Sequence, residues 1–219
     1  MFLHGYLSSK ESFYPQINYF SRHFRVTAPD LPGFGGSGPI PAAWSVGEYA
    51  DWLEGFLKER GIVFPCVIAH SFGGRVAIKC LARGLFDRAV LTGCAGIVRR
   101  RTLSYHLKVK SYRLVRKFAP RFAEAKFGSA EYRSLSPLMR ESYKKIVNED
   151  LREEAKRIAR PVLYLNGEHD RETPLSSVRI LHECTAGSRL AVLKGCGHFA
   201  HLEEPLLFDL AAEEFLNDA

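Results

Sequence analysis

Apolar positions along the chain follow two rhythms that take turns. Phe2-Leu3, Val67-Ile68-Ala69, Ala89-Val90-Leu91, Val162-Leu163-Tyr164-Leu165 and Leu190-Ala191-Val192-Leu193 are unbroken apolar runs of strand length. Runs without polar alternation fit strands covered on both faces, as in a parallel sheet. Between them the spacing changes to three and four. Phe13, Ile17, Phe20 and Phe24 predict a helix starting near Glu11, and Val46, Tyr49, Ala50, Leu53, Phe56 and Leu57 predict a second. Ser45 and Glu48 stand at its start with capping-box spacing, which lets each side chain satisfy the other residue's backbone N–H. Further helices are predicted over residues 76–82 with a stop at Gly84, from Pro137 with Leu138, Tyr143, Ile146 and Val147, from Pro174, and from Pro205 with Leu207, Leu210 and Phe215 facing inward. Strands alternating with helices place the chain in the α/β class.

Three of the apolar runs stop at residues able to do chemistry. Cys66-Val67-Ile68-Ala69-His70 leads into Ser71, and Phe72-Gly73-Gly74-Arg75 leads out of it into a helix-forming stretch. Strand, sharp turn, helix is the geometry that lifts a serine hydroxyl clear of a sheet, beside the free N–H groups of a helix start. Ala69 stands where the usual Gly-x-Ser-x-Gly pattern has its first glycine. A serine is a weak nucleophile until an imidazole takes its proton, and the imidazole needs a carboxylate to fix its tautomer. The run ending Asn166-Gly167-Glu168-His169-Asp170 supplies acids, and the run ending Gly195-Cys196-Gly197-His198 supplies a histidine. Residues at the carboxyl ends of parallel strands meet in one crevice.

With Leu3-His4-Gly5-Tyr6 and Asp30-Leu31-Pro32-Gly33-Phe34-Gly35-Gly36-Ser37, these landmarks span nearly the whole chain, and jointly they resemble enzymes of the α/β-hydrolase fold. The resemblance implies Ser71 as nucleophile, His198 as general base and acid, and Asp170 as the orienting carboxylate, with Glu168 the fallback. It implies an oxyanion hole from the backbone N–H groups of Tyr6 and Phe72. It also implies a mostly parallel sheet of about six strands, because the first two strands of the family pattern are absent and the His-Gly turn arrives at residue 4. Residues 24–28 would then form an uncovered edge strand. The start is expected to be truncated relative to that pattern.

Charge adds a second region. Residues 97–157 hold 17 of the 31 Lys and Arg but only 7 of the 24 Asp and Glu, and helix formers replace the strand rhythm there. Leu103, Leu107, Leu114, Val115 and Phe118 mark one helix of this stretch. It is expected to be a helical cap over the site, inserted in a core made of residues 1–96 and 158–219. The basic stretch lacks the reader motifs and stacking aromatics of nucleic-acid binders. No apolar run is long enough for a membrane span, and Met1-Phe2-Leu3 is too short for a signal peptide. Five cysteines without paired spacing point to a reducing cytoplasm, with Cys196 a packing residue. No His/Cys/Asp cluster has metal-ligand spacing, so neither metal nor organic cofactor is expected.

The reaction predicted is hydrolysis of carboxylic esters of small or medium acyl chains through an acyl-enzyme, by a monomer or homodimer. Arg75 and His4 are candidate substrate-binding residues. Ser-x-Gly-Gly-Arg resembles the elbow of the menaquinone-pathway synthases of this superfamily, which implies an alternative: carbon–carbon hydrolysis or a lyase reaction on an anionic substrate. A surface ion pair is the plainer reading of Arg75, and His4 has a plainer role in orienting the oxyanion turn. The missing strands leave a third reading, a non-catalytic or signalling protein.

Overall fold

The computed structural model describes residues 1–98 and 135–218. Among the described residues five parallel strands form one sheet whose order repeats chain order: β1 (Phe2–Leu3), β2 (Val67–His70), β3 (Ala89–Thr92), β4 (Val162–Gly167) and β5 (Arg189–Leu193). Alternate residues of each strand feed opposite cores. Leu3, Val67, Ala69, Leu91 and Tyr164 pack with α2 (Val46–Glu59), α3 (Phe72–Ala82) and α6 (Leu175–Cys184). Phe2, Ile68, Val90, Leu163 and Leu165 pack on the other face with α1 (Tyr14–Phe20) and α8 (Pro205–Asn217). Burial on both faces is why β1 to β4 carry no polar alternation, whereas β5, at the end of the strand order, is half-buried to exposed, with Val192 39% exposed.

Local signals act as their chemistry dictates. The Glu48 carboxylate accepts hydrogen bonds from the Ser45 N–H and hydroxyl at the start of α2. Gly84 ends α3 at φ 74°. The predicted first helix begins as a 3-10 turn, Lys10–Phe13, and continues as α1 with proline in its first turn.

Two expectations are corrected. Residues 24–28 form no strand; their tie to β1 is one hydrogen bond, from the Phe2 N–H to the Thr27 carbonyl. A two-residue β1 offers no ladder to extend. On α8, Leu207 and Leu210 are exposed, while Phe208, Ala212 and Phe215 are buried. Both stripes are apolar with helical spacing, and the wider aromatic one faces the sheet.

The stretch predicted as a cap lies partly outside the described residues, including the helix marked by Leu103 to Phe118. Described are α4 (Pro137–Asn148) and α5 (Arg152–Lys156). Two backbone N–H bonds clasp the ends of this stretch together: Val98 to the Asp150 carboxylate and Leu151 to the Gly96 carbonyl. Among the described residues no helix is long and apolar enough to cross a membrane.

Candidate active site

The turn after β2 sets the geometry of Ser71, the candidate nucleophile. Ser71 has φ 51° and ψ −108°, a conformation that costs a non-glycine residue strain and that the packed strand and helix on either side enforce. The second glycine of the elbow is obligatory. A Cβ on Gly73 would lie 2.2 Å from the Leu3 carbonyl oxygen, so the first turn of α3 rests directly on the end of β1. The first glycine is dispensable, for Ala69 is fully buried inside β2 with its methyl in the core.

The loop after β4 holds the acid. Asp170 is 4% exposed. Its Oδ1 accepts from the N–H groups of Glu172 at 2.9 Å and Thr173 at 2.8 Å, and its Oδ2 from the Thr173 hydroxyl at 2.6 Å. His198 Nδ1 lies 2.9 Å from the same Oδ2. A carboxylate only accepts, so His198 carries its proton on Nδ1 and presents Nε2 as the basic atom. Burial pushes the Asp170 carboxyl up, but the bonds from His198 and Thr173 outweigh it and hold the pKa at about 2. Glu168 plays a different part from the fallback expected of it: its carboxylate accepts from the Gly195 N–H.

Glycines again permit the approach of the base loop. A Cβ on Gly167 would fall 2.1 Å from the Gly197 carbonyl oxygen, and one on Gly93, which has φ 51°, would fall 3.0 Å from the His198 ring. The acid loop, the base loop and the end of β3 thus sit at backbone contact.

Ser71, His198, Tyr6, Phe72 and Arg75 line one cavity of about 580 Å³. The Phe72 N–H belongs to the first turn of α3, where helix geometry supplies no partner. The Tyr6 ring packs 5.4 Å from Phe72 and 5.1 Å from Tyr143, and its hydroxyl donates to the Met139 carbonyl, which ties the oxyanion turn to α4. Tyr143, Ile146 and Val147 of α4 complete one wall.

Arg75 is buried, and its Nη1 donates to the backbone carbonyl of Glu149 at 2.7 Å. It forms no ion pair among the described residues, so the surface-salt-bridge reading fails; the Glu149 carboxylate goes instead to Lys79 at 2.6 Å. Burial lowers the Arg75 pKa without bringing it near neutrality. His4 does not line the cavity. Its Nε2 accepts from the Leu31 N–H at 2.9 Å and its Nδ1 donates to the Gly5 carbonyl at 2.8 Å, which spends both ring nitrogens on backbone. Burial lowers its pKa and keeps the ring neutral. The substrate-binding expectation for His4 is therefore corrected to a structural role behind the oxyanion turn.

Three residues were missed from sequence. Thr173 buttresses the acid, and the Asp-x-x-Thr spacing that lets a carboxylate collect N–H groups two and three positions ahead was the available signal. Glu172, with its side chain 69% exposed, places Oε2 3.3 Å from His198 Nε2. His70 lines the cavity beside the nucleophile. Among the described residues Ser71 Oγ makes no hydrogen bond, and no cluster of three or more metal-ligating side chains occurs.

A serine on a strained strand-to-helix turn in a parallel sheet, with a histidine–aspartate pair delivered by later strands, is the arrangement of the α/β-hydrolase fold. The chain belongs to the alpha/beta hydrolase family, which it matches over residues 1–209. A 2-succinyl-6-hydroxy-2,4-cyclohexadiene-1-carboxylate synthase of Salmonella paratyphi A is 30% identical across 94% of this chain and 88% of its own length. A 2-hydroxy-6-oxo-2,4-heptadienoate hydrolase of Pseudomonas putida is 26% identical across 90% and 79%. Two other relatives match over 34% and 36% of this chain, which spans only 28% and 21% of their length. An enol-lactonase from Burkholderia xenovorans LB400 shares the fold, with a TM-score of 0.77 at 22% identity over 99% of this chain and 90% of its own.

Proposed function

We propose that the chain is a serine-dependent hydrolase of small molecules that carry a carboxylate, acting at a carbonyl group. The observation that carries this reading is the buried Arg75 guanidinium lining the same cavity as Ser71 and His198. A guanidinium fork binds a carboxylate through two hydrogen bonds, and its charge gains strength in a site sheltered from water. The two relatives that match over most of this chain are both named for carboxylate compounds.

In this mechanism His198 Nε2 takes the Ser71 hydroxyl proton as Oγ attacks the carbonyl carbon. The N–H groups of Phe72 and Tyr6 hold the oxygen as it gains negative charge. His198 then gives its proton to the departing group, whose bond to the carbonyl carbon breaks, and water repeats the steps on the acyl-enzyme. Asp170 orients the imidazole and offsets its charge throughout. Tyr143, Ile146 and Val147 of α4 wall the pocket and help to choose what enters.

A second reading, a lyase that uses Ser71 and His198 for proton abstraction without hydrolysis, is favoured by the 30% identity to the Salmonella synthase. The same experiment separates both from a neutral-ester hydrolase. Paired esters that differ only by a terminal carboxylate are offered to wild type and Arg75→Met. The carboxylate ester is expected to be preferred, and Arg75→Met should raise its KM about 10- to 100-fold, the loss of one charge-assisted pair, while leaving the neutral ester within about twofold. Equal KM changes for both esters remove the carboxylate reading. Failure of wild type to cleave either ester turns the test to the lyase.

A further inference from the structure

We propose that His70, immediately before the nucleophile, is a positioning residue that keeps the general base in register with the oxyanion turn. The inference rests on the roles of Ser71 and His198 given above. His70 ends β2 and is 2% exposed. Its Nε2 lies 3.0 Å from the backbone carbonyl oxygen of His198. A carbonyl only accepts, so Nε2 carries the proton and Nδ1 is bare. The other side of the ring meets the oxyanion turn, where a Cβ on Gly5 would stand 2.9 Å from Nδ1. The ring is wedged against those of His198, His201 and Phe199, with centroids 4.7, 4.8 and 5.1 Å away. One side chain thereby spans the three backbones the reaction must hold together: the elbow through its own chain, the oxyanion turn through Gly5, and the base loop through the His198 carbonyl.

The His70 Nε2 proton is committed to that carbonyl, and its bare Nδ1 is packed against the oxyanion turn at Gly5. The neutral ring is also what the surroundings demand. Burial, with His201 and His198 beside it, holds its pKa well below the ordinary value, and the bond to the His198 carbonyl and the nearby Asp170 oppose this without outweighing it. What His70 contributes is distance. His198 is already fixed at Nδ1 by Asp170, which sets the ring's tilt; the bond to its carbonyl sets how far the whole residue stands from Ser71. A displacement of about 1 Å at such a point costs about 100-fold in rate.

The test measures covalent modification of Ser71 by a fluorophosphonate in wild type, His70→Phe and His70→Gln, resolving the inactivation rate constant from the probe's binding constant. Phenylalanine keeps the ring and its stacking but removes the donor; glutamine places an N–H donor near the Nε2 position. The inactivation rate constant should fall about 10- to 100-fold in His70→Phe with the binding constant unchanged, and return to within about threefold of wild type in His70→Gln. A His70→Phe chain that reacts like wild type overturns the proposal alone. A wild type that is never labelled overturns the nucleophile assignment, and this proposal with it. Nitrogen-15 NMR of histidine-labelled wild type gives a second check without any substitution. His70 should be the neutral Nε2–H tautomer near pH 7, and the Nδ1–H tautomer or the doubly protonated ring would overturn the proposal.

Discussion

The acid half and the nucleophile half of the candidate site are wired to opposite degrees. Asp170 collects four hydrogen bonds of 2.6 to 2.9 Å from Glu172, Thr173 and His198. Ser71 Oγ has none among the described residues, and its backbone is strained instead. On the proposed mechanism the acid half is finished before any reaction begins, so it costs no reorganisation when charge develops on the imidazole. On the proposed mechanism the nucleophile half is completed by the substrate, since catalytic hydrogen bonds to the attacking group commonly tighten only in the reactive complex. Glu172, within 3.3 Å of the basic nitrogen of His198, stands where that completion happens.

The comparison breaks most sharply at the serine. Ser71→Ala is expected to cut turnover on the order of 10⁵- to 10⁶-fold while leaving the melting temperature unchanged or raised, because the side chain makes no hydrogen bond among the described residues. Steady-state kinetics beside thermal unfolding checks both parts. Residual turnover above about one per cent would mean that the chemistry is not serine-based.

Thr173→Val tests the opposite half, with a smaller effect on rate and a clear one on stability. Removing the hydroxyl should lower turnover about tenfold and destabilise the fold by about 1–3 kcal/mol at neutral pH. The sign of its pH dependence follows from Asp170. A carboxyl held at about 2, below its unfolded value of 3.8, stabilises the fold above about pH 4, and that contribution is lost as pH falls toward 2. The stability gap between variant and wild type should therefore close in acid, and denaturant titrations at several pH values measure it. A gap that stays constant would mean that the hydroxyl does not act through the carboxylate.

The smallest effect on activity comes from a polar residue outside the site. Asp209 on α8 is 3% exposed, and among the described residues its Oδ1 has no hydrogen-bond partner. Burial raises the Asp209 pKa to about 6. The folded state therefore holds a proton the unfolded chain gives up, and stability declines as pH rises from about 4 to 6. Asp209→Asn should leave turnover within about twofold, match wild type near pH 4, and exceed its stability above pH 6 by up to about 3 kcal/mol. Urea unfolding at the two pH values decides it, and equal stability at both would show that the carboxyl is not strained by burial.

Much of this architecture was legible because the residues involved answer to local rules. Continuous apolar runs gave the buried strands, and Ser45 with Glu48 gave the start of α2. Three strand ends gave Ser71, Asp170 and His198, of which the last two meet at hydrogen-bond distance. What stayed hidden depended on contacts between distant segments. Leu207 and Leu210 make as good a helical stripe as Phe208, Ala212 and Phe215, and only the neighbouring sheet chooses between them. His4 and His70 look alike in a sequence. One spends both nitrogens on backbone behind the oxyanion turn, whereas the other reaches a carbonyl 128 residues away. Arg75 was ambiguous for the same reason, since its carbonyl partner belongs to Glu149, 74 residues further along the chain.

The strand order carries a consequence for synthesis. Because the described strands pair in chain order, β2 and each strand after it can pair on leaving a ribosome with one already made. The serine is in place on its turn after the second strand, but the aspartate and histidine follow the fourth and fifth. At ordinary translation speeds the interval between Ser71 and His198 is on the order of 10 s. Throughout it the nascent chain displays a hydroxyl with no base to activate it, so on the proposed mechanism reactivity arrives last, with the segment that also closes the sheet.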